Sequence, residues 1–150
     1  MRTAIPRDFG FDSCFACGPA NPRGLHLAFE REDDAVVATF TPAHEHGGYG
    51  ALLHGGMTAT LLDEAMAWAV YGVLGRLAVT TELHIRLSGA LHCGTDLTVR
   101  GWIASHDDAV AQAAAEVRAA RGAVAATCTG TMRFLSEGAA RRLALGRPRL

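Results

Sequence analysis

The chain predicts an α+β fold in which one antiparallel sheet curls around a single long helix. Three observations carry that prediction. Only one segment, Gly55 to Leu74, is a long helical candidate, and Met57, Ala59, Leu61, Leu62, Ala65, Met66, Trp68, Val70 and Val73 leave it almost no polar face. A helix that is apolar nearly all round is buried on most sides. The remaining hydrophobic stretches alternate with period two, as strands do. With no second long helix to cover the first, a sheet must do so.

The elements follow in order. Residues 1–24 hold Gly10, Gly18-Pro19, Asn21-Pro22 and Gly24 and are expected to form an irregular N-terminal segment. Leu25 to Arg31 alternates, Glu32-Asp33-Asp34 makes a polar turn, and Ala35 to Phe40 returns, which predicts a hairpin. A Gly- and His-rich loop over residues 43–54, including His44, His46 and His54, leads into the helix, and Gly75 ends it as a C′ residue. Leu77 to Leu87 is a strand with Thr81, Leu83, Ile85 and Leu87 on one face and Thr80, Glu82, His84 and Arg86 on the other. Gly94 to Ala104 is a strand closed by the break Ser105-His106-Asp107-Asp108. Ala109 to Ala119 has helical propensity, but the turn Ala120-Arg121-Gly122 and the partner Val124 to Phe134 make it a strand. Residues 136–150, with Arg141, Arg142, Arg147 and Arg149, form a frayed or helical tail. One domain, 1–150, is expected.

Composition narrows the function classes. Apolar residues make up 49% and charged ones 19%, so the chain forms a core. A net charge of −1 lacks the basic footprint of a nucleic-acid or anionic-membrane binder. No uncharged run is long enough to span a bilayer, and the first residues carry no apolar signal region; a cytoplasmic location is expected. All 14 basic residues are Arg, which with the many alanines reflects a GC-rich genome. Cys14, Cys17, Cys93 and Cys128 are then expected as free thiols.

Chemistry concentrates on the helix. Asp63 and Glu64 lie in its middle, and burying an unpaired carboxylate costs several kcal/mol, on the order of what a small domain's net stability can lose. The neighbours of Asp63 one turn away are Ala59, Thr60, Met66 and Ala67, which offer no cation, and the alanines clear space before it. Asp63 is therefore the candidate functional acid. Glu64, about 100° further round, is expected to face elsewhere as a structural residue. His54-Gly55-Gly56 opens the helix, where glycines admit a ligand close to the backbone and free N–H groups suit an oxyanion. Gly55 and Asp63 are eight residues apart, roughly 12 Å along a helix. An oxyanion donor and a base must both lie about 3 Å from one reacting group. If both act, Gly55 of one subunit faces Asp63 of another, and the smallest working unit is a homodimer.

The segment His54-Gly55-Gly56-Met57-Thr58-Ala59-Thr60-Leu61-Leu62-Asp63 resembles the HGG-x-x-x-x-x-x-D signature of hotdog-fold acyl-CoA thioesterases of the phenylacetyl-CoA (PaaI-like) branch. Val79 to Ile85 resembles that family's strand after the helix, and the likeness spans about residues 36 to 134. Cys14-Phe15-Ala16-Cys17-Gly18 with Asn21-Pro22-Arg23-Gly24-Leu25 is similar to the N-terminus of one subgroup. The resemblance implies a hotdog fold, a homodimer or homotetramer, an acyl-CoA substrate and no cofactor. By it, the Gly55 N–H polarises the thioester carbonyl, Asp63 is general base or nucleophile, Thr80 helps hold the water, and His54 braces the loop. Gly56, Gly48, Tyr49, Ala59 and Ala67 are expected to line the substrate. One position departs from the pattern: some relatives carry Asn six residues before the HGG histidine, where this chain has Gly48, so Tyr49, His46 or an N-terminal residue must orient the water or carbonyl.

Other constellations weigh less. Cys14-x-x-Cys17 offers two ligands where a closed zinc site needs four, so no metal is expected and the pair is assigned to a small knuckle packed on the sheet edge. His44-x-His46 lies on the Gly-rich loop and is assigned to a substrate-lining or polar role. Met66 and Trp68 are core residues. Arg86, Arg100 and the tail arginines are solvated surface that could meet CoA phosphates. No P-loop or dinucleotide glycine pattern occurs. The rival functions are a hotdog protein that binds an acyl or aromatic ligand without catalysis, a hydratase-type lyase on the same fold, and a zinc-dependent structural module.

Overall fold

The computed structural model describes residues 1–7, 10 and 12–143. Its elements are β1 (Arg2–Ala4), β2 (Glu30–Glu32), β3 (Ala35–Phe40), a 3-10 turn (His44–His46), α1 (Gly55–Leu74), β4 (Ala78–Leu87), β5 (Leu97–His106), β6 (Val110–Arg118), β7 (Val124–Phe134) and α2 (Glu137–Arg142). The strands form one sheet in the order β1-β2-β3-β5-β6-β7-β4, every pair antiparallel. The sheet wraps α1, which packs most heavily on β5 and β6. This is the hotdog architecture that the sequence predicts.

The core explains the alanine run. Leu61, Leu62, Ala65, Met66, Ala69 and Val70 of α1 are fully buried, and beneath them lie Ala111, Ala113 and Ala115 of β6. Small side chains there let the helix settle low on the sheet. β6 is a strand against its propensity because it pairs on both sides, with β5 and β7. α1 comes tightly against β5 at Gly101, where an added Cβ would collide with the Ala65 carbonyl, 2.6 Å from its carbon. α1 ends as expected on Gly75, which adopts φ 66° and returns its N–H to the Tyr71 carbonyl.

Three expectations need correction. The first hairpin strand is short: only Glu30–Glu32 pairs with β3, and Leu25 to Phe29 is outside the sheet although Leu25, Leu27 and Phe29 are buried. Their backbone is satisfied by the N-terminal segment instead, Leu25 N–H donating to the Phe15 carbonyl and Leu27 N–H to that of Ala16. That segment is itself not wholly irregular, since β1 pairs with β2. Finally, β5 runs from Leu97 through His106, past the expected break, with a bulge between Ile103 and Ser105. The turn begins instead at Asp107, whose Oδ1 accepts from Ala109 N–H (2.7 Å) and Val110 N–H (2.8 Å). In the tail, Glu137–Arg142 is helical and capped by Ser136; Arg147 and Arg149 lie outside the described residues. No helix among the described residues is long and apolar enough to cross a membrane.

Candidate functional site

Two groups of residues sit at different points along α1. At its start, His54 is the N-cap: its Nδ1 accepts the Gly56 N–H at 2.9 Å, and its carbonyl accepts from Met57 and Thr58. The ring nitrogen facing the backbone is thereby an acceptor, so a neutral His54 carries its proton on Nε2. The loop before it is braced by His54 N–H to the His46 carbonyl and Gly48 N–H to that of Leu52. With the next three amides engaged, the Gly55 N–H has no acceptor among the described residues. It is the free donor of the first turn. Gly48 lies against His54, with an added Cβ 3.4 Å from the His54 Cα. Tyr49 is 90% exposed, and its hydroxyl makes no hydrogen bond to either group among the described residues.

Two turns on, the Thr80 hydroxyl donates to Asp63 Oδ1 at 2.6 Å. Asp63 is half-buried and has no cationic partner among the described residues. The other carboxylate oxygen, Oδ2, accepts no side-chain hydrogen bond among the described residues. A bulge in β4 makes this meeting possible and corrects the expected face assignment. Thr80 pairs with Met132 and Glu82 with Thr131, so Thr81 is the extra residue. A bulge breaks strict alternation and re-aims the side chains beside it. Thr80 consequently points at α1, as does Leu87, whose Cδ1 would be 3.1 Å from a Cβ added at Gly55.

Gly56, Ala59, Thr60, Asp63 and Ala67, spaced three and four apart on α1, are partly exposed, as are Gly55, Met57, Glu64, Val73 and Leu74. Asp63 and the two alanines expected beside it therefore share a partly exposed face. Gly55 and Asp63 do not meet within one chain, since eight residues of helix separate them by roughly 12 Å.

Glu64, expected to be structural, has surroundings that sequence reasoning missed. Its Oε1 accepts the Trp68 indole N–H at 2.9 Å, one turn along. Cys14 and Cys17 converge on it, and the two sulfurs and a carboxylate oxygen all lie within 4.8 Å of one another. Burial pushes the Glu64 carboxyl up to about 7, aided by the charges of Cys14 and Asp63 and opposed by the Cys17 and Trp68 hydrogen bonds. The Cys14 thiol is held low by the hydrogen bond from Cys17 and by the amides of Cys17, Ala16 and Gly18, while that same bond and burial push the Cys17 thiol up. A cavity of about 150 Å³ adjoins the trio, and Ala67 is part of its wall. The i, i+4 spacing of Glu64 and Trp68 was the available sequence signal; the cysteines' approach was not.

The chain is similar to proteins of known family and structure. Residues 50–126 match the model of the thioesterase superfamily. No curated protein matches the chain. Among solved structures, a thioesterase superfamily protein is 25% identical with a TM-score of 0.74, over 83% of this chain and 61% of that one. This chain thus spans less than two-thirds of that relative's length. The E. coli PaaI protein from the phenylacetic acid degradation operon is 20% identical, with a TM-score of 0.70 over 80% of this chain and 84% of PaaI. The Streptococcus mutans protein smu.793, solved with acetyl CoA bound, is 22% identical with a TM-score of 0.67 over 73% and 89% of the two chains. At those identities the last two share the fold.

Proposed function

The chain belongs to the thioesterase superfamily, and from that premise we propose that it hydrolyses acyl-CoA thioesters to a carboxylic acid and free CoA. The observation that carries the proposal is Asp63: a carboxylate with no cationic partner among the described residues, held by Thr80, on a partly exposed stripe of α1. One structural relative binds acetyl CoA, which is the chemical class such a site would take.

In the proposed reaction the free Gly55 N–H bonds the thioester carbonyl oxygen and meets the charge that develops there, an effect worth about 3 kcal/mol for one donor. Asp63 either takes a proton from a water that attacks the carbonyl carbon or attacks it directly to form an anhydride that water then opens. The C–S bond breaks in either route and the CoA leaves as thiolate. The proton it takes up is the one Asp63 removed from the attacking water or, in the anhydride route, the one released when water opens the anhydride. Thr80 fixes one carboxylate oxygen so that the other faces the substrate. His54 holds the loop and keeps Gly56 N–H engaged.

The site is completed by a second copy. β4 is a sheet edge, and Leu83, Ile85 and Leu87 on it are exposed. α1 runs antiparallel to β4, with Gly55 beside Leu87 and Asp63 beside Thr80. If two β4 strands meet antiparallel about a two-fold axis between Leu83 and His84, Leu87 of one lies opposite Thr80 of the other. Gly55 of one subunit is then brought toward Asp63 of its partner, giving two equivalent sites.

A second reading, a non-catalytic binder of an acyl-CoA or aromatic ligand, is favoured by Gly48, which supplies no side-chain amide to orient water. Thiol release from short, long and aromatic acyl-CoAs, measured for the wild type and Asp63→Ala, separates the two. Turnover lost in a folded mutant supports the hydrolase. Thermal stabilisation by an acyl-CoA without thiol release supports the binder.

A further inference from the structure

We propose that Cys14, Cys17 and Glu64 bind a thiophilic divalent cation, zinc, which clamps the N-terminal segment onto α1. Two donors from the knuckle were too few to indicate a metal; the helix supplies the third. The sulfurs and the carboxylate oxygen lie within 4.8 Å of one another. Donors around a tetrahedral zinc, with bonds of about 2.0–2.3 Å, sit roughly 3.5 Å apart, so an approach of about 1 Å brings these donors to ligand spacing.

The surroundings of each donor fit the ion. The turn Cys14-Phe15-Ala16-Cys17-Gly18 wraps its first sulfur: the Cys17 N–H points at Cys14 Sγ at 3.5 Å, and the Gly18 N–H returns to the Cys14 carbonyl at 2.9 Å. Gly18 is required for that wrap, because an added Cβ would collide with the Cys14 nitrogen and lie 2.6 Å from the Cys14 carbonyl oxygen. Glu64 is oriented by the Trp68 indole N–H, which donates to Oε1, the arrangement by which an outer partner aims a metal-ligating carboxylate. The Cys17 thiol hydrogen-bonds the same carboxyl group, and the ion would take the place of that proton. Two thiolates and a carboxylate select zinc over magnesium or calcium, which prefer all-oxygen shells.

Among the described residues no cation hydrogen-bonds the three side chains: Arg7 reaches Cys17 only at its carbonyl, 3.3 Å, and donates also to the Leu27 carbonyl, 3.2 Å. Arg76 lines the adjoining cavity, but its guanidinium lies 3.7 Å over the Phe134 ring and donates to the Asp108 carbonyl. The cavity, about 150 Å³ and walled by Trp68, Leu77 and Ala78, leaves room for a water as fourth ligand. The ion would tie together what the backbone already couples loosely. Phe15 and Ala16 of the knuckle accept hydrogen bonds from Leu25 and Leu27, and Glu64 belongs to the helix turn that carries Asp63.

The test is metal analysis of the full chain, reduced, loaded with zinc and dialysed, followed by exchange for cobalt. About one zinc per chain is expected, with a cobalt spectrum showing thiolate charge-transfer and tetrahedral ligand-field bands. Cys14→Ser is expected to abolish binding, Glu64→Gln to weaken it by more than about tenfold, and Cys93→Ser to leave it unchanged. Circular dichroism checks that each variant is folded. If Cys14→Ser does not fold, the wild-type cobalt spectrum and Glu64→Gln still decide. Substoichiometric metal in the folded, reduced wild type overturns the proposal, as does a Glu64→Gln variant of wild-type affinity. None of these readouts depends on thioesterase activity.

Discussion

The Thr80 hydroxyl donates to Oδ1 of Asp63 at 2.6 Å, joining the middle of the buried helix to the bulge of the edge strand β4. One carboxylate oxygen is thereby fixed, and the other accepts no side-chain hydrogen bond among the described residues. In the proposed hydrolase, Asp63→Asn is expected to lower kcat by about 10²–10⁴. Thr80→Val, which removes a bond to a charged group, should lower it by about ten- to a hundredfold, and Thr80→Ser should restore most of the loss. Steady-state thiol release checks all three. A Thr80→Val enzyme as fast as the wild type would remove Thr80 from the machinery.

The two glycines at the start of α1 should behave differently. A Cβ at Gly56 would lie 3.0 Å from His54 Nδ1 and 3.1 Å from its Cε1, so Gly56→Ala displaces the capping ring. A stability loss of about 1 kcal/mol is expected, the usual value of an N-cap. A Cβ at Gly55 meets only the Cδ1 of Leu87 at 3.1 Å, on a side chain 55% exposed and able to rotate. Gly55→Ala should melt like the wild type yet turn over more slowly, because the methyl obstructs approach to the free N–H. Thermal melts paired with kinetics separate the two cases.

Gly101 sets how low the helix sits on the sheet. Alanine there would drive a methyl carbon into the Ala65 carbonyl, 2.6 Å from its carbon, and these backbone atoms cannot rotate away. Gly101→Ala is expected to cost about 3 kcal/mol, the upper range for overpacking. Urea unfolding measures it, and an unchanged midpoint would show that α1 shifts freely over β5.

β4 carries the proposed contact between subunits. A charge at Ile85, exposed on the sheet edge, should abolish it at little cost to the folded chain. Ile85→Arg is expected to elute as a monomer by light scattering and to lose thioesterase activity while retaining its circular dichroism. A dimeric Ile85→Arg protein would locate the interface elsewhere.

The β5–β6 turn makes stability depend on pH. Asp107 is held below the ordinary aspartate range by the amides of Val110 and Ala109. A carboxylate lowered in the folded state contributes stability above its unfolded value, and that contribution disappears as pH falls through the lowered folded value. The wild type should therefore lose stability relative to Asp107→Asn on acidification below the usual aspartate pKa, about 4. Parallel urea melts across that range measure the difference. Curves that keep a constant offset would show that Asp107 titrates alike in both states.

The central helix, its Gly75 stop and the strands β3, β4, β6 and β7 were legible in the sequence, because period and punctuation are local properties. Asp63 stood out as a candidate for the same reason: a carboxylate in an apolar helix with no cation one turn away in sequence marks itself without any knowledge of the fold. The family resemblance added Thr80, and the structure supplies the means of its contact, the bulge at Thr81. Simple alternation had turned Thr80 to the other face, because an inserted residue in a ladder leaves no trace in a period-two pattern.

What only the tertiary structure decided depends on contacts between distant segments. Leu25 to Phe29 has the alternation of a strand, yet its backbone bonds go to Phe15 and Ala16, a competition between partners that no local pattern records. Glu64 looks in sequence like the lesser of two acids. The N-terminal knuckle folds back across a long stretch of intervening chain to bring two sulfurs beside it. Hydrophobic period specifies which face of an element is buried, but the residues that meet across that burial are chosen by the packing of the whole chain.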